Sequence, residues 1–147
     1  RLRALGFVFQ AYNLIPVLTA VENVEYPLVL QGVGPHERRR AAREALGWVA
    51  LENYADRRPD LLSGGQQQRV AVARAIVHRP ALVLADEPTA NLDSKTGAAL
   101  LDLMQTLNEE HGVTFLFSSH DPAVLSRARR VVHLVDGELR GEDNRAH

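Results

Sequence analysis

Apolar and polar positions along the chain switch repeatedly between the two-residue period of a strand and the 3.6-residue period of a helix. Ala4 to Phe9 is a short apolar run, interrupted by Gly6 and closed by the polar Gln10-Ala11-Tyr12-Asn13, which predicts a strand followed by a loop. From Thr19 to Arg57 the pattern is helical. Val21, Val24 and Leu28 share one face of a first helix, and Pro35 opens a second. In that second helix Ala41, Ala42, Ala45, Leu46 and Val49 form the inward stripe, while His36, Glu37, Arg38, Arg39, Arg40 and Arg43 face out. The arginine run reads as a solvated helix face.

After Arg57-Arg58-Pro59-Asp60 the chain passes through Leu61-Leu62-Ser63-Gly64-Gly65-Gln66 into a helix of about four turns that ends before Pro80. Ala81 to Ala85 is an unbroken apolar run ending in Asp86-Glu87-Pro88, the pattern of a central strand buried on both faces. Asp93 or Ser94 can cap a helix running to about His111, where Gly112 stops it. Val113 to Phe117 predicts another buried strand, leading into Ser118-Ser119-His120. Asp121-Pro122 then supplies an N-cap and a proline at the first helical position. Val131 to Val135 and Glu138 to Arg140 predict a closing hairpin around Asp136-Gly137. Strands alternating with helices predict an α/β fold on a largely parallel sheet, with ligand groups at the C-terminal strand ends. Gln10, Glu87 and His120 all fall just beyond such ends.

Composition narrows the partners. With 147 residues, 46% of them apolar and 24% charged, the chain is long enough to bury a core. A formal net charge of −1 argues against a nucleic-acid surface working by bulk charge, so an anionic ligand has to be held locally. No cysteine is present, which removes disulfides and thiolate metal sites. No apolar run approaches the roughly 20 residues that span a bilayer. Arg1-Leu2-Arg3-Ala4-Leu5-Gly6 is unlike a signal peptide because no long apolar region follows the arginines. The first residue is not Met, and the true N-terminus is expected upstream.

Three groups of residues offer chemistry. In Leu62-Ser63-Gly64-Gly65-Gln66-Gln67-Gln68-Arg69, two glycines at the opening of a helix leave backbone N–H groups unshielded at the positive end of the helix dipole, which suits a phosphate. Ser-Gly-Gly alone reads equally as a Ser-capped helix with a glycine turn. Asp86 and Glu87 arrive together at a sheet edge, and adjacent residues of an extended chain point to opposite sides. One can therefore hold Mg²⁺ while the other orients or deprotonates an attacking water. His120 can hydrogen-bond a terminal phosphate, and Gln10 offers an amide oxygen to Mg²⁺ or water. Taken singly, these residues also read as solvated acids, a packed or surface histidine and a turn residue.

In order along the chain, these elements resemble the ABC ATPase nucleotide-binding domain over essentially the whole sequence. Gln10 matches the Q-loop, Leu62 to Gln66 is the signature sequence LSGGQ, and Leu82 to Asp86 matches the Walker B strand. Glu87 corresponds to the catalytic glutamate, Asn91-Leu92-Asp93 to the D-loop, and His120 to the switch histidine. Phe7 to Pro16 and Leu18 to Val24 resemble the subgroup that powers lipoprotein release and macrolide or peptide efflux.

The resemblance implies a P-loop NTPase (RecA-like) core with an inserted α-helical subdomain. Its expected divisions are 1–18 with the Q-loop, 19–79 as the helical subdomain, and 80–147 as the core. It implies ATP and Mg²⁺ as cofactors, a second nucleotide-binding domain and transmembrane permease subunits as partners, and a place at the cytoplasmic face of the membrane. Catalysis would involve Glu87, His120 and Gln10, with Asp86 and Gln10 toward the metal. Ser63, Gly64, Gly65, Gln66 and Asp93 would contact nucleotide, the signature residues serving the partner's ATP in a head-to-tail dimer. The family's phosphate loop, G-x-x-x-x-G-K-[ST], is expected several tens of residues before Gln10 and does not occur in this sequence, which resembles an N-terminally truncated domain. The only lysine, Lys95, forms a decoy with Thr96, because Thr89 and Ser94 stand where the two glycines should be. Two other functions fit less of the pattern: a soluble ABC ATPase acting on nucleic acid, and a non-catalytic dimerisation module.

Overall fold

The computed structural model describes residues 4–145; Arg1 to Arg3, read above as unlike a signal peptide, lie outside the described residues. The elements in chain order are β1 (Leu5–Val8), α1 (Ala20–Leu30), α2 (Pro35–Trp48), α3 (Gly64–Ile76), β2 (Leu82–Asp86), α4 (Ser94–His111), β3 (Phe115–Ser118), α5 (Pro122–Arg127), β4 (Arg130–Val135) and β5 (Glu138–Asn144). Short 3₁₀ turns at Glu52–Tyr54 and Pro59–Leu61 join α2 to α3.

Local signals account for most element ends. Thr19 caps α1 in a reciprocal box with Glu22, whose carboxyl the Thr19 hydroxyl and amide hold below its ordinary value of 4.5. Asp93 caps α4 through the Thr96 amide, and Gly112 ends that helix in the left-handed region at φ 68°. Asp136 and Gly137 both take positive φ, 52° and 78°, as the tight turn between the antiparallel β4 and β5 requires.

The parallel sheet runs in the order β1-β2-β3, with β2 in the middle. Register places Gly6 and Val8 beside Val83 and Ala85, and these beside Phe115 and Phe117, on one face. That face packs into the apolar core with α1, α2, α3 and α4. Gly6 lets α3 lie directly on β1, because a Cβ there would collide with the Ala75 carbonyl.

The opposite face corrects the sequence expectation. Leu5, Phe7 and Leu116 are 38%, 44% and 56% exposed, and Leu82 and Leu84 are half-buried. Neither β2 nor β3 is thus buried on both faces, since the described helices cover one side only. The strand after α4 also begins at Phe115 rather than Val113, although the Thr114 carbonyl already accepts from the Val83 amide at 2.9 Å.

The arginine run is a second correction. Packing of α1 on α2 brings Arg39 onto Glu25, which is 5% exposed, with Arg38 4.0 Å from the same carboxylate. A buried carboxylate needs such partners. No helix among the described residues is long and apolar enough to cross a membrane.

Candidate active site

Glu87 follows the last residue of β2, and its backbone departs from the expected alternation. Its φ of 44° turns the chain in the left-handed region, uncommon for a side chain of this size. Two hydrogen bonds hold the turn: the Glu87 amide donates to the Ser118 carbonyl at 2.9 Å, and the Ala90 amide donates to the Glu87 carbonyl at 3.2 Å. Asp86 stays in the sheet opposite Ser118, and Glu87 leaves it at this turn.

The Glu87 carboxylate accepts from His120 Nδ1 at 2.8 Å and from Ser119 Oγ at 3.1 Å. The Ser119 hydroxyl oxygen in turn accepts from the Asp121 amide at 3.0 Å, and Thr89 Oγ1 donates to the Asp121 carboxylate at 3.0 Å. This network ties the turn after β2 to the loop after β3. The Glu87 side chain is 22% exposed and that of His120 93%, so a fixed carboxylate sits beneath an accessible imidazole. With Glu87 ionised, Nδ1 carries the proton, and Nε2 can also donate to an anion only in the imidazolium form. Sequence reasoning passed over Ser119; its place between Ser118 and His120 was the available signal.

Gln10 lies two residues past β1 and pairs reciprocally with Asn91. Gln10 Nε2 donates to Asn91 Oδ1 at 3.4 Å, and Asn91 Nδ2 donates to the Gln10 carbonyl at 3.0 Å. Using its amide nitrogen in this way leaves the Gln10 side-chain oxygen as an acceptor. Among the described residues no three His, Cys, Asp or Glu side chains converge as a metal cage. An exposed Asp86 and one amide oxygen suit Mg²⁺, which takes one or two protein ligands and completes its shell with water and phosphate oxygens.

The Ser63–Gln66 turn and Asp93 form a separate group. Ser63 Oγ accepts from the Gln66 amide at 3.2 Å while Gln66 Oε1 accepts from the Ser63 amide at 2.9 Å, so the plain capping reading is realised. The Gly64 and Gly65 amides remain as first-turn donors at the positive end of α3. The glycines also serve packing: a Cβ on Gly64 would lie 2.9 Å from the Tyr12 hydroxyl, and one on Gly65 2.5 Å from Thr96 Cγ2. Thr96 belongs to the turn that Asp93 caps, and the bonds from Thr96 hold the Asp93 carboxyl below its ordinary value. Lys95-Thr96 thus lies in the first turn of α4. No hydrogen bond among the described residues joins this group to Glu87 and His120.

Glu87 and His120 lie beyond the C-terminal ends of β2 and β3. A cavity of about 310 Å³ lies instead toward the other end of the strands, lined by Trp48, Ile76, Arg79, Pro80, His111 and Val113 among others. Trp48 stacks there on His111 with ring centroids 4.2 Å apart.

Comparison with known proteins gives a consistent set of relatives. Residues 1–90 match the family model described as ABC transporter. The chain is 50% identical to the ABC transporter ATP-binding protein YtrE of Bacillus subtilis over 141 residues, covering 96% of this chain and 61% of that protein. It is 51% identical to the lipoprotein-releasing system ATP-binding protein LolD 2 of Rhodospirillum rubrum, covering 97% of this chain and 62% of that one. A solved dimer of the ATP-binding cassette MJ0796 of Methanocaldococcus jannaschii, in a post-hydrolysis state bound to ADP and Pi, superposes with a TM-score of 0.83 at 47% identity. That match covers 100% of this chain and 66% of the cassette. The chain thus spans a little over three fifths of these curated relatives, 61% and 62%.

Proposed function

The chain belongs to the ABC transporter ATP-binding family, and from that premise we propose that it carries the water-activating half and the partner-facing half of a composite ATPase site in a transporter subunit. The observation that carries this reading is the Glu87–His120 pair, set by two adjacent strand ends and kept apart from the glycine turn of α3.

Glu87 would orient the attacking water and take up its proton, while His120 would contact the γ-phosphate. Asp86 and the Gln10 amide oxygen would hold Mg²⁺, which neutralises charge developing on the phosphate oxygens. In-line phosphoryl transfer depends mainly on positioning and charge stabilisation, which suits groups fixed at strand ends. Ser63, Gly64, Gly65 and Gln66 would meet the γ-phosphate of a second subunit across a head-to-tail dimer, with Asp93 beside them. The solved dimer of a 47% identical cassette supports that arrangement. ATP-driven closure of the dimer, and its opening after hydrolysis, would move partner permease subunits at the cytoplasmic face of the membrane. A permease partner is supported by the lipoprotein-releasing relative and by a 49% identical macrolide export ATP-binding/permease protein, MacB of Syntrophobacter fumaroxidans, 20% of which this chain covers.

The phosphate loop that the family resemblance implies is not among these 147 residues. The 147-residue chain on its own is accordingly expected to bind Mg-ATP more weakly than about 1 mM in a calorimetric titration, less than about 4 kcal/mol of binding free energy. Micromolar, Mg-dependent binding by this chain would contradict that division of labour.

A further inference from the structure

Gln68 is a polar residue in the apolar stripe of α3, in line with Val72, Ala75 and Ile76, and its side chain is fully buried. Its Nε2 donates to two backbone carbonyls from different strand ends: Phe9, which precedes Gln10, at 3.1 Å, and Pro88, which follows Glu87, at 2.7 Å. Two carbonyl acceptors fix the orientation of the amide, because its oxygen could not face either of them. That oxygen is buried without a partner. A buried acceptor left unsatisfied is destabilising, so the amide is an unfavourable residue for a merely apolar site.

A second tie from the same helix reaches the far side of Gln10. Arg74 donates to the carbonyls of Tyr12 and Asn13 at 3.0 and 2.6 Å. Gln10 is therefore held on both flanks by the helix whose N-terminus is the Ser63–Gln66 turn, and one of those side chains also holds the residue after Glu87.

We propose that Gln68 is a positioning residue for hydrolysis: its amide fixes Glu87 relative to Gln10 and couples both to the partner-facing end of α3. The role presupposes the hydrolytic reading above. A shift of α3 when its N-terminus meets a phosphate would be carried to the Phe9 and Pro88 carbonyls together, and so to the groups that orient water. Gln68 touches neither the nucleotide site nor a reacting atom; it acts through the backbone on either side of Gln10 and Glu87.

The test uses the complete protein. Gln68→Met keeps the side-chain length and removes both donors, and it is expected to lower kcat about tenfold or more while changing KM for ATP by less than about twofold. Gln68→Glu can donate one hydrogen bond only while its introduced carboxyl is protonated, and burial raises the pKa of such a group. Its kcat relative to the parent is therefore expected to rise as pH is lowered, whereas the ratio for Gln68→Met stays flat. An unchanged kcat in Gln68→Met, or a flat ratio in Gln68→Glu, overturns the role. So does loss of the fold in both variants, which would make Gln68 structural only. Glu87→Gln measured in parallel separates the two failures. If that variant still turns over ATP, the hydrolytic reading falls; if it is inactive and Gln68→Met is not, only the role of Gln68 falls.

Discussion

Glu87→Gln in the complete protein is expected to lower steady-state ATP turnover by two orders of magnitude or more, about 10²–10⁴-fold for loss of a general base, while ATP still holds the dimer closed. The substitution is nearly isosteric: its one amide oxygen can still accept from His120 Nδ1–H, and its NH2 can donate to the Ser119 hydroxyl oxygen, which bonds the other carboxylate oxygen in the parent. The left-handed turn at Glu87 depends on backbone bonds to Ser118 and Ala90, which a side-chain change leaves alone. What disappears is a negative charge able to take a proton from water. Removing that charge from the phosphate site also lessens repulsion toward ATP, so binding is retained or strengthened. Turnover by quenched-flow or coupled assay, together with mass by light scattering in ATP, reads both effects. Unchanged turnover would remove Glu87 from its role.

Gly65→Val is expected to lower turnover from the opposite side about a hundredfold, the scale for losing a preorganised backbone donor to the phosphate, and to prevent ATP from closing the dimer. An added Cβ would lie 2.5 Å from Thr96 Cγ2, so the Thr96 side chain must give way. The Thr96 amide is also the donor that Asp93 caps, and displacement there disturbs the other partner-facing residue. The branched side chain would also shield the first-turn amides that an anion has to reach. ATP binding to the variant's own subunit should change little, because its own Gln10, Asp86, Glu87 and His120 are untouched. Dimer loss with retained monomer binding distinguishes this variant from Glu87→Gln.

Much of the architecture was legible because its signals are local. Asp93 and Gly112 bound α4, Asp121-Pro122 opens α5, and Asp136-Gly137 forms the hairpin turn, each through a conformational preference of the residue itself. The strand-end positions of Gln10, Glu87 and His120 were equally readable, since apolar runs end in polar residues there.

Other features depend on what lies across from a residue. An unbroken apolar strand does not reveal how many of its faces are covered, and Leu116 proved more than half exposed. The arginine run looked solvated because its partner, Glu25, sits on the preceding helix. Alternation along an extended strand was the expected geometry at Asp86 and Glu87, but the chain leaves the strand at Glu87 through a backbone turn at φ 44°. Gln68 carried a readable mark, a glutamine at an apolar helical position. Its two acceptors, 59 and 20 residues away in sequence, became visible only in three dimensions.

Mixing the two inactive proteins tests the composite site most directly. In a heterodimer of a Glu87→Gln chain and a Gly65→Val chain, one site combines both defects. The other site pairs an intact Glu87 with an intact glycine turn. The account predicts that ATP turnover reappears on mixing and rises with the fraction of heterodimer toward one working site per dimer. If each chain instead used its own glycine turn with its own Glu87, both sites would remain defective, and a mixture as inactive as its two parents would contradict the account.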